Sequence, residues 1–155
     1  MDNTQQKPQY NRQQNPKAPL YDYGGRKPPR DTDLEEAVLG ALMLEKDAYT
    51  IVCDILKPES FYEPACQKIY EAIQSLGASQ RPIDMLTVTE QLRLNGTLKE
   101  VGGPVYVSEL TSRVASGAHV EYHARIVAQK YLARELIKFS SLILSLIHIS
   151  EPTRP

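Results

Sequence analysis

Three kinds of residue in this chain could do chemistry, and each needs a partner that spacing must supply. His119 and His123 stand four apart, which sets two imidazoles on one helix face as a metal site requires. No third ligand follows nearby, so we read them as a satisfied or solvent-facing pair. Glu35 and Glu36 are adjacent carboxylates at the start of a helical pattern. Negative charge there complements the helix dipole, and acid–base work is not assigned to them. Cys53 and Cys66 lack CxxC spacing and read as reduced, small buried side chains, not as a disulfide frame or zinc site. The sequence contains no GxxxxGK[ST] phosphate loop, no GxGxxG turn and no GxSxG elbow. Nothing in it supports catalysis by this polypeptide alone.

Charge divides the 155 residues into unlike parts. Residues 1–30 carry six Lys/Arg and two Asp, whereas residues 31–139 carry eleven basic and sixteen acidic side chains. The part able to fold is therefore acidic, which argues against its surface as a main phosphate-binding site. The first 30 residues hold five Gln and almost no aliphatic side chain. They cannot bury enough apolar surface to offset chain entropy, so a disordered polar leader is predicted. Tyr10, Tyr21 and Tyr23 lie among its basic residues. The leader reads as solubilising, with stacking on nucleic acid as the alternative. No apolar run is long enough for a membrane span and no secretory signal opens the chain, so a cytoplasmic protein is expected.

The foldable part reads as all-α: a compact bundle of about five short helices plus one long C-terminal helix. Thr32 and Glu35 fit a capping box that opens the first helix, with Leu34, Val38, Ala41 and Leu42 as its stripe. Gly40 inside it predicts a close helix–helix contact. A second helix is expected over Ala48–Leu56, with Ile51, Val52 and Ile55 inward. Phe61-Tyr62 reads as a hydrophobic plug, with ligand stacking as the alternative. Pro64 opens a third helix that Gly77 should stop. In Pro82–Gly103, Asp84 is the expected N-cap, Met85, Val88 and Leu92 share a face, and Asn95-Gly96 ends the helix. The fifth helix, Pro104–Arg113, carries Val105, Val107 and Leu110; Val105-Tyr106-Val107 alone could pass for strand.

The last helix, about His119–Ser141, has a stripe that moves. Val120, Ala124, Val127 and Tyr131 cluster on one side at 100° per residue, and Leu132, Ala133, Leu136, Ile137 and Phe139 fall across the other. That shift predicts a helix that leaves the head and meets a second partner. From Leu142 the composition changes again. LSLIHISEPTRP looks like translated read-through of a sequencing adapter, so residues 142–155 read as a non-native tail and His148 is given no role. A genuine amphiphilic tail is the alternative.

The ordered segments LEEAVLGALML, FYEPACQKIYEAI, PIDMLTVTEQLRLNGTLKEVGGPVYVSEL and HVEYHARIVAQKYLARELI resemble the N-terminal domain of DnaB-type replicative DNA helicases. The resemblance covers roughly residues 28–141. It implies a helical head (residues 31–141 here) followed by half of a helical hairpin. It also implies a collar on a hexameric homo-oligomer, with primase and a helicase loader as partners. ATP and Mg would serve the family's motor, which also holds most of the DNA contact and has no matching positions here. No cofactor, catalytic or metal residue is assigned to this fragment. Primase-contact candidates implied by the resemblance are Asp33, Tyr106, Arg125 and Arg134, chosen for expected exposure. A solvated helix face is the alternative for the arginines, and a core position for Tyr106. A free-standing helical DNA-binding or protein-interaction module remains the competing function.

Overall fold

The computed structural model describes residues 26–114 and 116–150, with backbone alone at 149 and 150. The leader tyrosines and the last five residues lie outside the described residues. Among the described residues the chain forms seven α-helices and no strand: α1 Thr32–Leu44, α2 Ala48–Val52, α3 Pro64–Ala78, α4 Met85–Leu94, α5 Leu98–Val101, α6 Gly103–Ser112 and α7 Val120–Ser150. A 3-10 turn, Pro58–Ser60, precedes α3.

The helix starts follow local chemistry. Asp84 caps α4 as the sequence predicts: its carboxylate accepts the Thr87 N–H at 2.8 Å, and the Thr87 hydroxyl accepts the Asp84 N–H at 2.9 Å. At α1 the predicted capping box does not form. Asp31 is the cap, accepting the Leu34 N–H at 3.1 Å. Thr32 instead donates to Glu63 at 3.3 Å, and Glu35 turns inward. Asp31 has the shorter reach to the first free N–H groups, which leaves Glu35 available for a long-range contact.

Two elements are shorter or more numerous than predicted. The second helix stops at Val52, because the chain turns at Cys53–Ile55 before the Pro58 turn. Ile51, expected inward, is exposed. The link after Asn95-Gly96 coils into α5, whose end is set by Gly102 at φ 113°. That left-handed conformation suits glycine alone among common residues without strain.

α1 is the central helix, packed against α3, α6 and α7, while α4 covers α3. Val38, Leu39 and Leu42 from α1 meet Ile69, Tyr70 and Ile73 from α3, Val107 and Leu110 from α6, and Val120, Ala124 and Val127 from α7, all buried. Each large aliphatic side chain so buried contributes about 1.5–3 kcal/mol. Val105, expected inward, is 69% exposed, since α6 turns only Val107 and Leu110 to the core. The plug reading of Phe61 holds. Its ring is fully buried, 5.0 Å from the ring of Tyr70, whose hydroxyl donates to the Leu56 carbonyl at 2.8 Å.

Candidate protein-interaction surface

α7 carries two stripes that face different ways. Val120, Ala124 and Val127 are buried against the head, Tyr131 is half-buried, and Arg134 is buried. These positions advance by four and three residues, the spacing of one helix face. Beyond Arg134 no described side chain of α7 is buried. The second stripe is Leu132, Leu136 and Phe139, exposed by 59%, 57% and 63%. At about 100° per residue it lies roughly 120° around the helix from the head-facing stripe. Ile137, expected with it, is half-buried. The helix continues unbroken past Tyr131 and Ser141.

Where α7 leaves the head, a polar junction replaces apolar packing. The guanidinium of Arg134 donates to the Ser60 carbonyl at 2.9 Å and to the Pro29 carbonyl at 2.7 Å. It also lies 5.4 Å from the centre of the Tyr62 ring and 5.7 Å from that of Tyr131. Glu35, bonded to the same Tyr62 segment, is 1% exposed. Its carboxylate accepts the Tyr62 N–H at 2.9 and 3.0 Å and the Glu63 N–H at 3.2 Å, groups just ahead of α3 that no helix bond would satisfy. Burial pushes the Glu35 carboxyl above its usual range, and the backbone donors and the Arg134 charge oppose that push. Arg30 completes the cluster, 4.5 Å over the Tyr62 ring and 3.9 Å from the Glu63 carboxylate.

The four residues expected to contact a partner separate into different environments. Asp33 is exposed in the first turn of α1. Arg125 is exposed on α7 and donates to Glu121 at 2.9 Å, one turn earlier. Tyr106 is half-buried; its hydroxyl donates to Glu36 at 3.2 Å, and Arg113 holds the other Glu36 oxygen at 2.6 Å. Burial raises the Tyr106 phenol well above its usual range. Arg134 is the correction: chosen for exposure, it is 5% exposed and turned inward. The signal that places it was in the sequence, because Arg134 continues the Val120, Ala124, Val127 and Tyr131 register. Glu35 was missed for a different reason. Its partners lie 27 and 28 residues away, beyond any local pattern.

His119 and His123 sit with ring centres 6.3 Å apart. Among the described residues no three His, Cys, Asp or Glu side chains converge as a metal site, and no helix is long and apolar enough to cross a membrane.

Comparison with known proteins agrees with this helical fold. Residues 27–129 match the model of the DnaB-like helicase N terminal domain. The chain is 48% identical over 124 residues to the replicative DNA helicase DnaB of Rhodothermus marinus, covering 80% of this chain and 13% of that protein. It is 40% identical over 118 residues to the replicative DNA helicase DnaC of Bacillus subtilis (strain 168), covering 76% and 26%. The chain thus spans about a quarter or less of the length of these relatives. The crystal structure of the N-terminal domain of DnaB helicase from Mycobacterium tuberculosis superposes with a TM-score of 0.74 at 39% identity, over 77% of this chain and 86% of that one. A structure of a DnaB-like replicative helicase and its interactions with primase superposes with a TM-score of 0.68 at 25% identity, over 77% and 28%. On the family match across most of the folded residues and these relatives, the chain belongs to the family of DnaB-like helicase N-terminal domains.

Proposed function

We propose that this chain is the collar domain of a replicative DNA helicase that unwinds duplex DNA at the replication fork, acting in the cytoplasm as a ring-stabilising and primase-docking module. The observation that carries the reading is the second stripe of α7. Leu132, Leu136 and Phe139 share one face, all exposed, on a side of the helix the head does not use. Burying each is worth about 1.5–3 kcal/mol, so the stripe is built for another helix. Its occupant is the second helix of a hairpin in the parent helicase and, for the isolated chain, the same stripe of a second copy. ATP and Mg serve the parent's motor; the residues here do not fit that group, since the sequence has no phosphate loop, and no step is assigned through it.

Asp33, Arg125 and Tyr106 are the proposed primase contacts, with the helicase loader as a further partner of the assembled ring. The interactions with primase named for a structurally similar DnaB-like replicative helicase support the partner class.

Light scattering across a concentration series tests the collar reading on the full chain. The average mass should rise with concentration and return to the monomer value in a Leu132→Gln, Leu136→Gln, Phe139→Gln variant with unchanged helical content. A wild-type chain that stays monomeric throughout sinks the stripe as an interface. Titration of labelled chain with primase from the same source tests the partner. Binding weakened by Asp33→Ala and Arg125→Ala supports the assignment, and equal binding by both variants removes it.

A further inference from the structure

Arg134 is a charged side chain buried at the point where a long helix leaves its domain. Val120, Ala124 and Val127 are buried ahead of it on α7, and no described side chain after it is. Apolar packing can hold a helix against a head yet tolerate sliding and tilting, because dispersion and burial are weakly directional. A guanidinium is different. It is planar, with donors in a fixed fork, and it stacks on aromatic faces. Here the fork reaches carbonyls from two separate segments, Ser60 in the turn before α3 and Pro29 ahead of α1. Tyr62 flanks it from the head and Tyr131 from α7 itself. Tyr62 is in turn fixed through its N–H by the buried Glu35 of α1. The direction of α7 is thereby referred to three parts of the head.

We propose that Arg134 is the positioning residue that sets the angle at which α7 leaves the head, and so where the Leu132, Leu136 and Phe139 stripe is presented. The clause about presentation rests on the collar reading; the clause about the angle does not. A lysine keeps the charge but offers a single ammonium, which cannot serve both carbonyls with fork geometry or stack as a plane. A methionine keeps much of the length and leaves both carbonyls without that donor.

The test uses the full chain with spin labels at native Cys53, which is exposed on the head, and at Ser140→Cys on α7. Labelled chain is diluted into unlabelled chain, and the distance distribution is read by pulsed electron resonance. Amide exchange at Val38, Ile69 and Ile73 reports the head in the same samples. The expected result is one narrow distribution for Arg134, broadened and shifted in Arg134→Lys and more so in Arg134→Met, with head protection retained in Arg134→Lys. An unchanged distribution in Arg134→Lys overturns the proposal. So does loss of head protection in both variants, which would make Arg134 a folding residue. The mass series on the wild-type chain is separate: if it shows no association while the distances broaden as expected, the collar reading fails and the positioning role stands.

Discussion

The Cα of Gly40 in α1 lies against the backbone carbonyl oxygen of Leu110 in α6, with no room between them for a Cβ. The Val114 side chain closes the same space. Two helices approach this closely only where one of them lacks a side chain. Alanine favours an isolated helix over glycine by about 1 kcal/mol, so propensity alone predicts that Gly40→Ala stabilises. The structure predicts the opposite, because a backbone carbonyl cannot rotate away as a side-chain tip can. Overpacking of this kind typically costs about 1–3 kcal/mol. Urea unfolding of Gly40→Ala should show a lower midpoint with an unchanged slope. A raised midpoint would mean that α6 shifts freely and that the contact does not constrain the fold.

Asp31 and Asp84 each cap a helix, and Thr32 does not. Replacing an N-cap aspartate by alanine leaves an orphan N–H without its acceptor and costs about 0.5–2 kcal/mol. Asp31→Ala and Asp84→Ala should both lose stability in that range. Thr32→Ala loses only a part-buried hydroxyl contact with Glu63 and should lose less than Asp31→Ala. Thermal melts of the three variants rank them. A Thr32→Ala loss equal to or above that of Asp31→Ala would restore the capping box that the sequence pattern suggests.

Those caps show which parts of the fold were legible in the sequence. Asp84, Asn95-Gly96 and Pro104 act on their immediate neighbours, so a local reading of α4 and α6 finds them. Gly40 was legible as a need for close approach, although its partner was not. Gly77 was misread as a helix stop. It lies within α3 beneath the Tyr49 ring, a contact between residues 28 apart that no local pattern contains. Glu35 was misplaced because charged residues default to the surface and its burial depends on N–H groups supplied by a distant segment, whereas Arg134 was misplaced against its own helical register, which continues the head-facing stripe. The moving stripe of α7 was legible because helical period alone separates its two faces. The partner-contact surface was less so, since exposure of Asp33 and Arg125 says where contact can occur and not with what.

Glu35 gives the fold a pH dependence with a definite sign. Its carboxyl is raised above the usual value of 4.5, chiefly by burial. Below that value both folded and unfolded chains hold the proton, and the Glu35 carboxyl is buried without charge. As pH rises above it, the unfolded chain loses the proton first, so the folded state loses stability until its own carboxyl ionises. Glu35→Gln removes this titration while its amide oxygen can still accept the Tyr62 and Glu63 N–H bonds. The stability of wild type relative to Glu35→Gln should therefore fall as pH rises from below 4.5 toward neutrality. Urea midpoints measured on both proteins across that interval check it. A difference that grows in favour of wild type would mean that the backbone donors and Arg134 outweigh burial.

The two thiols should report opening of the core. Cys53 is exposed, and Cys66 in α3 is buried with its Sγ 3.9 Å from the Tyr106 hydroxyl. Burial first, and the negative charge of Glu35 second, push the Cys66 thiol up to about 12, so it carries almost no reactive thiolate at neutral pH. A chromogenic disulfide reagent should titrate Cys53 at once in the native chain and Cys66 only as the core opens. When reclosing outpaces labelling, the slow rate follows the opening equilibrium. Gly40→Ala should then accelerate Cys66 labelling about tenfold for every 1.4 kcal/mol of stability it removes, leaving Cys53 unchanged. Rapid modification of both thiols in the native wild type would show that the α1–α3–α6 core is open to solvent on the labelling timescale. A slow phase indifferent to Gly40→Ala would place the opening that exposes Cys66 outside the α1–α6 contact.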